Sequence, residues 1–67
     1  MQMVVMEYAP DGVDFVKVDG KVATFSMMEA KRVQREMTER TGYLYSVMMY
    51  TDDLPGMVRA AELEMVK

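Results

Sequence analysis

The side chains in this sequence that could perform chemistry are few, and they lack the partners that most catalytic mechanisms need. The chain contains no cysteine and no histidine, which excludes disulfides, thiolate zinc sites and the commonest general base. Ser26 and Ser46 therefore have no imidazole to activate them as nucleophiles. Because an active site needs several activated groups that converge, we expect a protein that is not an enzyme and that uses no cofactor and no metal.

The acidic residues offer the remaining route to metal chemistry. Asp52 and Asp53 could together bind Mg²⁺, which prefers oxygen ligands, but they directly precede a predicted helix and favour its positive end as caps. Asp11, Asp14 and Asp19 lack the D-x-D-x-D-G spacing and the downstream glutamate of a calcium loop. We interpret all of these residues as capping, turn and strand-edge positions.

A basic patch formed by Lys31, Arg32 and Arg35 lies early in the first predicted helix. Such a patch could contact phosphates, and Tyr43 and Tyr45 could stack on bases, which together make a nucleic-acid-binding domain one alternative. The formal net charge of −3 disfavours this alternative. A solvated helix face with local ion pairs is the simpler interpretation of the patch.

Length and composition limit the architecture. A chain of 67 residues has room for one domain, and a domain of this size buries only about 60% of its unfolded surface. Without disulfides or a metal, association with another subunit is the remaining common way to stabilise so small a fold. No secretory signal is visible, and the apolar runs fall far short of the roughly 20 residues that cross a bilayer. We therefore expect cytoplasmic residence and no membrane partner.

The first part of the chain has the pattern of a three-stranded antiparallel meander over residues 2–25. Apolar and β-branched residues predict strands at 2–8, 13–18 and 21–25. The segment Ala9-Pro10-Asp11-Gly12 is typical of a turn. The dipeptide Asp19-Gly20 favours a tight two-residue hairpin.

The remainder predicts an α-β-α order. Ser26 and Glu29 have the spacing of a capping box, and Gly42 stands where a helix should end, so we predict a helix over 27–41. Residues 43–50 are almost wholly apolar, which predicts a strand that is covered on both faces. A C-terminal helix follows Thr51-Asp52-Asp53. The apolar stripes of the two helices are Ala30, Val33 and Met37 in the first, and Leu54, Val58, Ala61 and Met65 in the second.

The expected fold is a single α+β domain, residues 1–67, in which a four-stranded sheet packs on one amphipathic helix with a further C-terminal helix. Period-two alternation predicts a second apolar sheet face that one helix cannot cover, so either the C-terminal helix or another protein must cover it. The ten methionines suit an adaptable contact surface. The candidate interaction residues are Met3, Val5, Phe15, Val22 and Met49.

These patterns favour a small protein-interaction module that either forms a homodimer or binds another protein as an inhibitor or adaptor. The nucleic-acid-binding domain described above is one alternative. A small-molecule-binding domain, with its ligand between sheet and helix, is another.

Overall fold

The computed structural model describes residues 1–65, and side chains for residues 1–64. The predicted α+β class is confirmed, but the single four-stranded sheet is not, because the strands form a three-stranded antiparallel sheet and a separate two-stranded one. The elements in chain order are β1 (Met3–Ala9), β2 (Gly12–Phe15), β3 (Lys17–Val18), β4 (Lys21–Val22), α1 (Met27–Thr41), β5 (Leu44–Met49) and α2 (Leu54–Met65).

Strand β1 is the centre of the larger sheet, whose strand order is β2-β1-β5. It pairs antiparallel with β2, with Met6 opposite Phe15, and antiparallel with β5, with Met3 opposite Met49. On the other side of β1, Phe25 bridges Met3 antiparallel, so the chain just before α1 and strand β5 both run antiparallel to β1 and parallel to each other. Helix α1 therefore connects two parallel segments that flank β1.

The predicted second strand, 13–18, is divided at Val16. The Val16 N–H donates to the carbonyl of Val5 at 2.8 Å, and the Val16 carbonyl accepts from the Ala23 N–H at 3.1 Å. The chain therefore changes its pairing partner at this residue, from β1 on one side to β4 on the other. This exchange is why one predicted sheet becomes two.

The predicted third strand, 21–25, is likewise divided between two pairing partners. Only Lys21–Val22 forms a strand, and Phe25 then makes an isolated bridge to Met3 through two hydrogen bonds of 2.8 Å. The hairpin between β3 and β4 turns at Asp19 and Gly20, both of which have positive φ values, 53° and 80°. These values agree with the type I′ turn that the dipeptide predicted.

Helix α1 begins and ends where the sequence predicted. Its first turn is closed by a capping box, in which the Glu29 N–H donates to Ser26 Oγ at 3.2 Å and the Ser26 N–H donates to Glu29 Oε1 at 3.3 Å. At the other end Gly42 adopts a φ of 79° and donates its N–H to the Thr38 carbonyl at 2.8 Å. Local signals therefore determine both ends of this helix.

Loss of this cap should weaken the domain measurably. We expect Ser26→Ala to lower the free energy of unfolding by about 1 kcal/mol, because an N-terminal amide of α1 loses its acceptor. Urea denaturation followed by circular dichroism measures the change. Thr24→Ala, which removes an exposed hydroxyl just before the helix, is the control and should leave stability within about 0.5 kcal/mol of the wild type.

Helix α2 is capped by the second residue of the acidic pair. The Gly56 N–H donates to Asp53 Oδ1 at 3.1 Å, and the Met57 N–H donates to the Asp53 carbonyl at 3.2 Å. The carboxylate of Asp53 lies where a side chain at Gly56 would begin, so glycine permits this cap. The capping interpretation of Asp53 is confirmed.

The two helices cover opposite faces of the sheet. On one face Ala30 of α1 packs with Met3, Val5 and Tyr45, and the predicted stripe is confirmed because Val33 and Met37 also contact this cluster; we call it the α1-side core.

On the other face Ala61 of α2 packs with Val4, Met6 and Phe15. We call this cluster the α2-side core. Leu54 and Val58 contact it as predicted, and the expected contribution of the Met65 side chain lies outside the described residues.

The predicted common face of Met3, Val5, Phe15 and Val22 is wrong. Because Ala9 pairs with Gly12 in the β1–β2 hairpin, even-numbered residues of β1 share a face with odd-numbered residues of β2. Phe15 and Val22 therefore belong to the α2-side core, whereas Met3 and Val5 belong to the α1-side core. The C-terminal helix covers the second face over β1 and β2.

Candidate interaction surface

Strand β5 is an edge strand of the three-stranded sheet and pairs only with β1 among the described strands. The Tyr50 N–H donates to the Gln2 carbonyl at 2.9 Å, which sets the alternation of inward and outward backbone groups along the strand. Tyr45, Val47 and Met49 consequently direct their N–H and C=O groups away from β1. We call these outward groups the β5 edge.

One group of the β5 edge has a partner. The side-chain amide of Gln34, on α1, donates through Nε2 to the Tyr45 carbonyl at 2.7 Å. Within residues 1–65 no hydrogen bond is formed by the outward groups of Val47 and Met49. The far half of the edge is therefore free to pair with another extended chain.

Exposed apolar side chains flank this edge at the two ends of the strand. Leu44 is 69% exposed and Met49 is 57% exposed, and Tyr43 and Tyr50 are also exposed; we call these four side chains the β5 patch. The prediction that the strand is covered on both faces holds only in part: Met48 packs against the α2-side core, whereas α2 packs mainly against β2 and leaves Leu44 in solvent.

The opposite edge of the sheet, strand β2, is protected. The Phe15 N–H is taken by the side chain of its neighbour, Asp14 Oδ1, at 2.8 Å. The other carboxylate oxygen of Asp14 forms an ion pair with Lys17 at 3.3 Å. Charges at an edge oppose pairing with further strands, so the two edges of this sheet have different properties: β2 is charged and β5 is neutral.

The candidate interaction residues do not form one surface. Met3, Val5 and Phe15 are buried, Val22 is half-buried, and Met49 is exposed. Of this set, only Met49 is available to a partner on the surface that the structure leaves open.

Lys31, Arg32 and Arg35 are exposed and line a shallow groove on α1 with Ser26, Met28 and Glu29. In the described part of the chain the one ion pair is that between Asp14 and Lys17, so the basic patch is solvated without the expected local pairs. Tyr45 is buried and is not available to stack on a base together with Tyr43. The structure therefore does not place Tyr45 on a common surface with Tyr43 and the basic patch.

Tyr45 instead anchors β5 to the rest of the fold. Its hydroxyl donates to Glu7 Oε2 at 2.6 Å and lies 3.1 Å from Thr41 Oγ1. Burial of the phenol, followed by its hydrogen bond to Glu7, raises the pKa of Tyr45 above its usual 10.0. The carboxylate opposes ionisation because the phenolate would place a second negative charge beside it.

This pKa shift predicts a loss of stability at alkaline pH. The raised pKa means that the unfolded chain ionises at Tyr45 before the folded one, so the stabilisation is complete below about pH 10 and is lost above it. We expect Tyr45→Phe to remove this part of the alkaline loss, and to lower stability by about 1 kcal/mol at pH 7 because Glu7 loses a donor. Denaturation curves between pH 7 and pH 11 measure both effects. Equal alkaline losses in the two proteins would contradict the prediction.

In the residues that the structure describes, no group of three acidic side chains is arranged to hold a metal ion. Neither α1 nor α2 is long and apolar enough to cross a membrane within that same part of the chain. Comparison of the chain with family models, with curated proteins and with solved structures gave no match. The chemistry of the surface itself must therefore support any functional proposal.

Sequence reasoning missed three residues that define this surface. Gln34 lies beside the apolar stripe of α1, and its position there was the only available signal of an edge contact. Leu44 and Tyr50 were assigned to a covered strand because an apolar edge strand and an apolar central strand have the same composition.

Proposed function

We propose that this chain is a small, non-catalytic, cytoplasmic protein-interaction module, and that the β5 edge with the β5 patch is its contact surface. The observation that carries this proposal is a neutral outer strand whose free backbone groups lie beside exposed apolar side chains. Such a strand pairs readily with another extended chain, since backbone hydrogen bonds give affinity and flanking side chains give specificity.

The contrast with the other strands supports a role in binding. A sheet that had only to remain monomeric would be protected at both outer strands, whereas here the charged side chains protect only β2. Leu44 and Met49 are exposed without contributing to either core cluster. A cytoplasmic location is supported by the absence of cysteine and the mild negative charge.

Site-specific photo-crosslinking in cells tests this function. A photoreactive amino acid replaces Leu44 in one variant and Val18 in the control variant, and mass spectrometry identifies the cross-linked peptides. Val18 is 58% exposed on the β3–β4 hairpin, so it matches Leu44 in accessibility but lies outside the proposed surface. We expect identifiable protein adducts at Leu44 that are clearly more abundant than those at Val18.

The result that would overturn the function is equally direct. Adducts at Leu44 that are absent, or no more abundant than those at Val18, would show that β5 is not a binding surface.

A further inference from the structure

The free part of the β5 edge is short and defined. Gln34 occupies the Tyr45 carbonyl, so Val47 and Met49 are the described residues of β5 whose outward N–H and C=O groups are both free. These residues are two positions apart, which is the spacing of consecutive hydrogen-bonded residues on one edge of an antiparallel strand. The occupant must therefore be an extended segment that offers two donors and two acceptors at the same spacing.

We propose that this occupant is β5 of a second copy of the chain, an inference that rests on the proposed function. The two strands run antiparallel about a two-fold axis at Met48, which places Val47 of each copy opposite Met49 of the other. Four backbone hydrogen bonds form, using only the groups that Gln34 leaves free. The two three-stranded sheets become one continuous six-stranded sheet.

The side chains of the strand suit self-pairing. Residues 43–50 carry no charge, so a two-fold axis brings no like charges together, which directly opposed charged side chains would do. The axis residue, Met48, packs against the α2-side core and lines an apolar groove beside Gly56 and Ala60. The two copies of Met48 meet at the axis, and each adapts its shape to the other.

The exposed area of the chain agrees with a missing partner. The structure exposes 4885 Å², whereas a compact monomer of 7.7 kDa exposes about 4,300 Å² by the usual scaling. A standard dimer interface removes about 800 Å² from each partner. The difference of roughly 500–600 Å² is smaller than this standard area, as expected of a contact limited to one short edge strand.

The first test measures association of the purified protein alone. Sedimentation equilibrium should report twice the mass of one chain for the wild type. In Met49→Pro the dissociation constant should rise about 10- to 100-fold, because each copy loses one ladder donor. Proline suits this position because the Met49 N–H points away from β1 and the side chain is exposed. Circular dichroism checks that the variant remains folded.

A second test does not depend on how that variant folds. The chain has no cysteine, so Met48→Cys introduces a single thiol at the axis. Residues opposite each other in a non-hydrogen-bonded antiparallel pair have Cα atoms about 4.5 Å apart, within the range that a disulfide spans. Mild oxidation should link this variant into dimers at least tenfold faster than the exposed control Val18→Cys.

These results separate the inference from the function on which it rests. A monomer at every concentration, or equal linking rates for Met48→Cys and Val18→Cys, would overturn pairing with a second copy. If Leu44 still captured a different, identified protein in the photo-crosslinking experiment, the interaction function would remain and its partner would be that protein. If neither a dimer nor an identified adduct at Leu44 were found, the proposed interaction function would also be wrong.

Discussion

Replacing Ala61 with Asp is expected to unfold much of the protein at 25 °C. Ala61 is 5% exposed and lies among Val4, Met6 and Phe15 in the α2-side core. A carboxylate introduced among these apolar side chains would lose its hydration, at a cost of several kcal/mol. The free energy of unfolding of a domain of this length is about 3–10 kcal/mol in total. The substitution therefore removes most of that free energy. Denaturant titration or the melting temperature measures the loss.

The neighbouring alanine provides the control for this prediction. Ala60 is exposed on the same helix, so Ala60→Asp changes helix propensity and charge in the same way without burying the carboxylate. We expect Ala60→Asp to lower stability by less than about 1 kcal/mol. Similar effects for the two variants would mean that α2 does not cover this sheet face.

The second large effect is expected at Met6. This side chain is 0% exposed, and its removal in Met6→Ala leaves a cavity at the centre of the sheet. Substitutions of this kind usually lower the free energy of unfolding by about 2–5 kcal/mol, and the loss grows with the volume that neighbours fail to fill. Urea denaturation gives the change, provided that the slope of free energy against urea stays the same.

Met28→Ala is the control that separates the effect of losing a buried side chain from the effect of replacing any methionine. It is 83% exposed on the first turn of α1, so Met28→Ala should leave stability within about 0.5 kcal/mol of the wild type. An equal loss for Met6→Ala and Met28→Ala would contradict the assignment of Met6 to the core. The methionines of this chain thus include buried core residues, such as Met6, and exposed residues, such as Met28.

The parts of the fold that the sequence predicted well are those set by nearby residues. Both ends of α1 follow from side chains within one turn of them, namely Ser26, Glu29 and Gly42. The Asp19-Gly20 turn likewise depends on two adjacent residues. Because these interactions are local, their spacing in the sequence is sufficient to reveal them.

The arrangement of the sheet could not be predicted in the same way. Whether residues 13–18 pair with one strand or with two depends on Val16, whose hydrogen bonds reach Val5 in one direction and Ala23 in the other. Nothing in the side chain of a valine specifies such a change of partner. The position of β5 at the outside of the sheet also depends on distant contacts, so its apolar composition suggested an interior strand instead.

The candidate site was misassigned because of one step in the register. The face on which each strand residue lies is inverted when the pairing moves by a single residue. Carrying the alternation from β1 into β2 without this inversion grouped Phe15 with Met3 and Val5, which lie on the other side of the sheet. Met49 remains part of the proposed surface, and it does so because of its backbone position on β5.

The central position of β1 also determines when this fold can be completed during synthesis. Glu7 and Tyr45, which join β1 to β5, are 38 positions apart, so at about 5–20 residues per second β1 waits roughly 2–8 s for its second neighbour. The β1–β2 hairpin and α1 form within microseconds once their residues emerge. Helix α1 ends at Thr41, four positions before Tyr45, so it can shelter one face of β1 only at the end of this interval, while the other face awaits α2. For most of the wait, β1 therefore has only β2 and the residues up to Phe25 as neighbours.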